Sequence, residues 1–253
     1  MKNEYLKNLN KIEFVVTYAC TGRCKHCSEG DHVAVGESIS PSAAQDAVRR
    51  IAAEYDIETV MAFGGEPLLY PEAVYAIMAA ARDMGVKRRQ VITNGYFSKK
   101  SEKIREVARS LAECGVNDLL ISVDAFHQET IPLSVVREFI GAAQGEGISM
   151  RLQPAWLVSP EDENSYNTRT REILADLADF GVPTSEGNII FPEGNAKKYL
   201  AEYFADEMPE NPYREDPCNV KCLSIEPDGT LFARSIYDVD VMKIIGEYDP
   251  CLA

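Results

Sequence analysis

The sequence predicts an α/β fold organised around a parallel sheet. Three observations lead there. Short β-like runs alternate with helix-like stretches from Ile12 to Phe191, the helices begin or end on recognisable cap residues, and each strand-to-strand connection is long enough for a right-handed crossover.

In chain order the expected strands are Ile12–Thr17, Glu58–Phe63, Arg89–Thr93, Asp118–Val123, Ile148–Gln153 and Asn188–Phe191. Ser40 is placed to cap a helix opening at Pro41 and running to about Tyr55, and Pro71 opens a second that stops at Met84-Gly85. A third runs from about Ser101 to Cys114-Gly115, followed by helices at Leu133–Gln144 and Thr168–Phe180, the last with Gly181 and Pro183 beyond it. A final helix is expected from Ala196 to about Glu207. The stretch Met208 to Pro217 is proline-rich and acidic and reads as a linker, dividing the chain into 1–207 and a C-terminal extension, 208–253. Within the extension, Leu223–Glu226 and Thr230–Ala233 read as two strands joined by Pro227-Asp228-Gly229.

With 253 residues, 45% of them hydrophobic, the chain can bury one sizeable core. It has no run of about 18 apolar residues and no N-terminal signal pattern, so a cytoplasmic protein without a membrane partner is expected. Forty acidic residues against 26 basic ones give a net charge of −14, which opposes a phosphate backbone and argues against nucleic acid as a partner. Lys87 to Arg89, the compact basic run, reads as a solvated loop. Five of the seven cysteines fall into two tight groups, Cys20/Cys24/Cys27 and Cys218/Cys222, which is metal-ligand usage rather than a disulfide framework. Cys114, in an apolar helical stretch, reads as core.

Cys20-Thr-Gly-Arg-Cys24-Lys-His-Cys27 follows the first strand directly and can wrap one metal centre. Three cysteines can hold three irons of a cubane and leave the fourth open, whereas a purely electron-carrying cluster normally takes four. The triplet alone leaves a Cys₃His zinc site open as well, with His26 or His32 as fourth ligand. The Cys-x3-Cys-x2-Cys spacing, together with Phe63-Gly64-Gly65-Glu66-Pro67 at the end of the second strand, resembles the radical S-adenosylmethionine (SAM) superfamily. That resemblance extends over most of residues 10 to 200. It implies a partial (β/α)₆ barrel carrying a [4Fe–4S] cluster and SAM at the C-terminal mouth of its strands, and a reductant such as flavodoxin or ferredoxin as partner.

The resemblance also implies roles. Cys20, Cys24 and Cys27 are the expected cluster ligands. Gly64, Gly65 and Glu66 are expected near the methionyl ammonium of SAM, and Thr93 and Asn94 near its carboxylate. Ser122 and Asp124 flank Val123 and are expected to bind the ribose, with Gln153 as a further contact. Gly194-Asn195-Ala196 looks like the family's segment near adenine, with Asn195 standing where an arginine is usual. Tyr18 and His26 are expected to border the adenine, and His127 to face the mouth or serve as a structural histidine.

Cys218-Asn-Val-Lys-Cys222 followed by Pro-Asp-Gly resembles the start of the SPASM or twitch extensions that hold auxiliary clusters. Arg234 occupies a position where a further cysteine is often found, so Cys218, Cys222 and Cys251 are the three candidate ligands for an auxiliary iron–sulfur site. The expected activity is reductive cleavage of SAM to a 5′-deoxyadenosyl radical that takes hydrogen from a peptide or protein side chain. A small metabolite or cofactor precursor is the alternative substrate, and a zinc-stabilised binding protein without chemistry the alternative class.

Overall fold

The structure is a computed structural model and describes residues 2–204, 211 and 213–251. Strands β1 (Lys11–Val15), β2 (Thr59–Phe63), β3 (Arg88–Thr93), β4 (Asp118–Ser122) and β5 (Met150–Gln153) pair in parallel in that spatial order. Helices α1 (Pro41–Glu54), α2 (Pro71–Asp83), α3 (Ser101–Cys114) and α5 (Leu133–Gly145) cross between them, and a short helix α4 (Ala125–Gln128), not anticipated from sequence, follows β4 directly. Alternation sets the two faces of the sheet. Ile12, Phe14, Val60, Ala62, Val91 and Leu119 are fully buried against the helices, while Glu13, Met61, Gln90, Asp118 and Arg151 point to the lumen. There the Arg151 guanidinium and the Gln90 amide both donate to Asp118.

The helix signals act as expected. The Ser40 side chain accepts from Ala43 N with Pro41 as the first helical residue, and Gly115 ends α3 in the left-handed region at φ 96°. Helix α6 (Ser165–Asp176) departs from the expected Thr168–Phe180: Asn164 caps it by accepting from Asn167 N, and the chain tightens into a 3₁₀ turn, Ala178–Phe180, before Gly181. The expected helix from Ala196 to Glu207 is α7 (Gly194–Tyr199) plus a 3₁₀ turn at Ala201–Tyr203. Its remainder, and residues 208–210 and 212 of the expected linker, lie outside the described residues.

The sixth strand is the main correction. β5 is interrupted at Pro154, which has no N–H for the ladder, and resumes as β6 (Ala155–Trp156). Alongside it the chain forms a bridge at Thr184 to Leu152, then β7 (Asn188–Ile189), which pairs with β6 rather than with the main sheet. Gly187, at φ 80°, makes the break on this side, because a Cβ there would lie 2.5 Å from Pro154 O.

The hexad of the main sheet is instead completed by β8 (Cys222–Ile225), which pairs in parallel with the other edge of β1. The expected hairpin after it is reduced to one turn, with Glu226 N donating to Thr230 O. β9 (Thr230–Leu231) pairs with β10 (Arg234–Ser235), and α8 (Val241–Gly246) packs beside α1. Edge β1 has unpaired backbone groups and apolar neighbours to offer, so Leu223 and Ile225 bury there instead of across a hairpin. The C-terminal segment therefore shares both sheet and core with the barrel. Among the described residues no helix is long and apolar enough to cross a membrane.

Candidate active site

Beyond β1 the chain stays extended through Thr17, with Val16 N donating to Phe63 O, and then turns into the cysteine loop. Bridges between Ala19 and Val33 and between Thr17 and Ser38 close this loop at its base. Cys20, Cys24 and Cys27 are free thiols that line one cavity of about 110 Å³ with Gly64, Gly65, Asn94, Ser122 and His127. Gly22 lies between two of the sulfurs: a Cβ there would be 3.2 Å from Cys24 Sγ and 3.6 Å from Cys20 Sγ. The Arg23 guanidinium donates to Cys20 O and Gly22 O and holds the turn. Burial pushes the Cys20 thiol up to about 12 and the Cys27 thiol up to about 11. Without a metal both are neutral, and a cluster's charge is what would hold them as thiolates.

Each sulfur meets a nitrogen from elsewhere in the chain. The Asn94 amide donates to Cys20 Sγ (3.6 Å), His32 Nε2 lies 3.0 Å from Cys27 Sγ, and a ring nitrogen of His127 lies within 4.8 Å of Cys24 Sγ. Only the cysteines are signalled by spacing; their partners come from three separate segments that the fold brings together.

The Gly64-Gly65-Glu66 segment is bound to the entry of this loop. Gly65 N donates to Thr17 O and Glu66 N to Ala19 O, each at 2.8 Å. A Cβ on Gly64, at φ 137°, would lie 2.6 Å from Thr17 O, and one on Gly65 would overlap the Ala19 carbonyl. The glycines therefore serve a close approach between two backbone segments at the rim of the cavity. Glu66 is fully buried: Oε1 accepts from Leu68 N and Thr93 Oγ1, and Oε2 from Asn94 N. Burial raises its pKa to about 7 against the pull of those donors. It latches the end of β2 to the end of β3, and Thr93 spends its hydroxyl on the latch while Asn94 faces the cavity.

Asp124 takes a different part from the expected ribose contact. Its Oδ1 accepts from Phe126 N and His127 N, and its Oδ2 from His127 Nδ1 (2.8 Å) and Ala155 N (3.0 Å), with the side chain fully buried. Burial opposes its charge, yet His127 holds its pKa down at about 2. It caps α4 and aims His127; Ser122 alone of that pair lines the cavity. Gln153 is also engaged, accepting from Ser185 Oγ (2.6 Å) and donating to Asn188 Oδ1 (3.1 Å).

Asn195, placed near adenine on the resemblance, instead clamps the cysteine loop. Its backbone N donates to Cys27 O (2.9 Å), and its side-chain amide donates to Gly30 O (3.0 Å) and Cys24 O (3.3 Å), with the residue 6% exposed. Gly194 permits this, since a Cβ there would lie 2.5 Å from Cys27 O. An amide reaches two carbonyls from a distance that a longer arginine would overrun. Tyr18, expected beside adenine, donates its hydroxyl to Glu226 at the end of β8.

The C-terminal cysteines are not gathered. Cys222 points to the lumen beside Glu13 and Lys11, whereas Cys218 and Cys251 are exposed near Tyr5. Among the described residues they form no common ligand group.

Comparison with known proteins gives a consistent picture. A "Probable GTP 3',8-cyclase" of Sulfolobus acidocaldarius is 30% identical over 124 residues, which are 49% of this chain and 37% of that protein. Cyclases of the same name from other organisms match at 23–28% over similar lengths. The matched segment thus spans well under half of these relatives. Among solved structures, SAM-bound SuiB of Streptococcus suis has a TM-score of 0.58 at 13% identity, covering 96% of this chain and 66% of that one. BtrN in complex with AdoMet and 2-DOIA has a TM-score of 0.55 at 15% identity, covering 95% and 83%. These likenesses establish a shared fold, a partial barrel. The family described as "Radical SAM superfamily" matches residues 14–152, more than half of the sequence, from inside β1 to the end of β5. The chain therefore belongs to the radical SAM superfamily and is an enzyme that uses SAM and a [4Fe–4S] cluster.

Proposed function

We propose that Cys20, Cys24 and Cys27 hold the cluster and that the enzyme acts on a small metabolite or cofactor precursor. Three soft sulfur donors lining one cavity would suit three irons of a cubane, and Gly64, Gly65, Asn94 and Ser122 line the same cavity. When bound, the cluster supplies the electron that cleaves SAM to a 5′-deoxyadenosyl radical. The chain's own residues fix the loop (Asn195, Arg23), join its entry to the end of β2 (Gly65, Glu66) and present Asn94 and Ser122 as polar contacts for SAM. The reaction needs a one-electron reductant, for which flavodoxin or ferredoxin is the proposed source.

The observation that carries the small-substrate reading is the tie between the segment that leads into β8 and the end of the barrel at β7 and α7. Tyr213, on the segment leading into β8, donates its hydroxyl to Asn188 of β7 (2.7 Å), and the Asn211 amide donates to Glu193 (3.3 Å). A groove open along that seam would suit an extended peptide; a bridged one bounds the substrate. The curated relatives, named for a cyclase of GTP, support the same reading. Modification of a peptide side chain, the first expectation from sequence, rests on the resemblance of the C-terminal cysteines and turn to SPASM or twitch extensions and on a likeness of fold. A binding protein without chemistry is set aside by the family membership.

The test is anaerobic reconstitution, then dithionite and SAM, with chromatography of 5′-deoxyadenosine in the presence of GTP, of a fraction of small cell metabolites, or of a peptide pool. Substrate-dependent 5′-deoxyadenosine with either small-molecule sample is the expected result. Stimulation by peptides alone would overturn the substrate assignment, and absence of SAM cleavage would overturn the cluster assignment.

A further inference from the structure

The chain has three histidines, and all three stand at the cysteine triplet: His26 inside it, His32 against Cys27 and His127 against Cys24. The cluster chemistry described above uses the sulfurs and gives the imidazoles no task. Two of them form a second constellation. Ligand atoms of Cys24, His26 and His127 lie within 4.8 Å of one another.

His127 is prepared as a metal ligand would be. Asp124 is a carboxylate whose Oδ2 faces Nδ1 and keeps a proton there, so the proton on Nε2 is the one that a metal ion would displace. A carboxylate-bonded histidine of this kind has its tautomer fixed and its basicity raised, the usual outer-shell arrangement around zinc. Asp124 is itself held by three backbone N–H groups, so the imidazole has little rotational freedom. His26 is packed by Phe126 and by His127, with ring centroids 5.0 and 4.9 Å away. Its Nδ1 is buried and has no hydrogen-bond partner among the described residues, an arrangement that native interiors avoid unless a ligand completes it.

From this geometry we propose that the iron-free chain binds one divalent ion of the zinc class at Cys24, His26 and His127, sharing only Cys24 with the cluster site. Zinc accepts one sulfur and two imidazoles with a water in the fourth position. In such a site the ligand atoms stand about 3.3–3.6 Å apart, so the pocket closes by roughly 1 Å on binding. Cys20 and Cys27 are directed to Asn94 and His32 and remain outside the set. Zinc and cluster then exclude each other, and assembly of the cluster requires the ion to leave Cys24. The proposal shares Cys24 with the cluster assignment but needs no cluster, SAM or substrate for its test.

The experiment is titration of the full-length, iron-free, reduced chain with Co²⁺ as the coloured stand-in for zinc, followed by displacement with Zn²⁺. One equivalent is expected, with thiolate-to-cobalt and tetrahedral visible bands that zinc abolishes. His26→Phe and His127→Phe should each weaken binding by at least about tenfold, while Cys20→Ser and Cys27→Ser should leave it within about threefold. Circular dichroism identifies any variant that fails to fold. His26→Phe, which retains an aromatic ring against Phe126, decides the matter if His127→Phe is lost. Absence of stoichiometric binding overturns the proposal. So does binding that needs Cys20 or Cys27 and tolerates the histidine variants. Cluster loading of His26→Phe, measured in parallel, separates failure here from failure of the cluster assignment.

Discussion

Replacing Asn195 with alanine tests the geometry of the cysteine loop most directly. The side-chain amide donates to Gly30 O and Cys24 O, and alanine removes both bonds while retaining the backbone bond from Asn195 N to Cys27 O. Each neutral bond is worth about 1 kcal/mol, and a buried carbonyl left without a donor adds to that, so about 2–3 kcal/mol is expected. For a chain of this size 1 kcal/mol moves the midpoint by roughly 2–4 °C, giving a fall of about 4–12 °C in thermal unfolding of the iron-free protein. Asn195→Asp should cost more than alanine, because a carboxylate oxygen would stand where the amide nitrogen meets two carbonyl oxygens. Hydrogen exchange across residues 20–33 should report local loosening in both variants, and iron retained after exposure to a chelator should fall in the same order. A midpoint change below about 1 °C with unaltered exchange, or an aspartate milder than the alanine, would refute the clamp.

Three further outcomes are expected. Gly65→Ala drives a methyl into the Ala19 carbonyl, whose carbon would be 2.7 Å away, so the variant should lose its compact loop and its iron; wild-type iron content would mean the two segments can part at little cost. Cys24→Ala should abolish SAM cleavage while leaving the barrel's circular dichroism and unfolding midpoint near wild type, since the residue lies in a loop outside the sheet. Replacing Cys218 and Cys222 together should leave reconstituted iron unchanged, because one side chain faces solvent and the other the lumen; a drop of about four irons per chain would show that the tail rearranges to hold a second cluster.

Much of the fold is legible because it rests on local signals. Ser40-Pro41, Pro71 and Gly115 punctuate helices by capping and φ alone, and the strands β1 to β4 are short apolar runs whose alternate residues bury against those helices. The departures occur where a choice is tertiary. Leu223 and Ile225 alternate as a hairpin strand would, but whether they pair with Thr230 or with β1 depends on which edge is open, and sequence periodicity is the same in both cases. At the site, the cysteines and the two glycines are legible from spacing, yet the direction of Asp124 is not. It lies two residues from Ser122 and shares its strand parity, but the chain turns into α4 at that point and the carboxylate becomes a cap. An Asp followed by Ala-Phe-His, with backbone N–H groups two and three residues on, was the available signal. Asn195 could not be read in this way, because its partners are 165 and 171 residues distant.

The break in the fifth strand and the aim of His127 are physically connected. In an uninterrupted β5 the backbone N–H groups would be spent on the ladder with the next strand. Pro154 ends that ladder, and the freed Ala155 N–H donates to Asp124 Oδ2. The same oxygen receives His127 Nδ1, and the ring lines the cavity beside Cys24. One proline thus turns a regular edge into a donor for the carboxylate that orients an imidazole on a cysteine of the loop. On the partner strand, Gly187 accepts the backbone of Pro154 at a distance that a Cβ would forbid, so the two irregularities fit each other. An ideal six-stranded barrel would bury the same apolar faces but would leave Asp124 without that donor. The irregular strand therefore belongs to the site as much as to the sheet, and restoring regularity at Pro154 should loosen His127 before it unsettles the core.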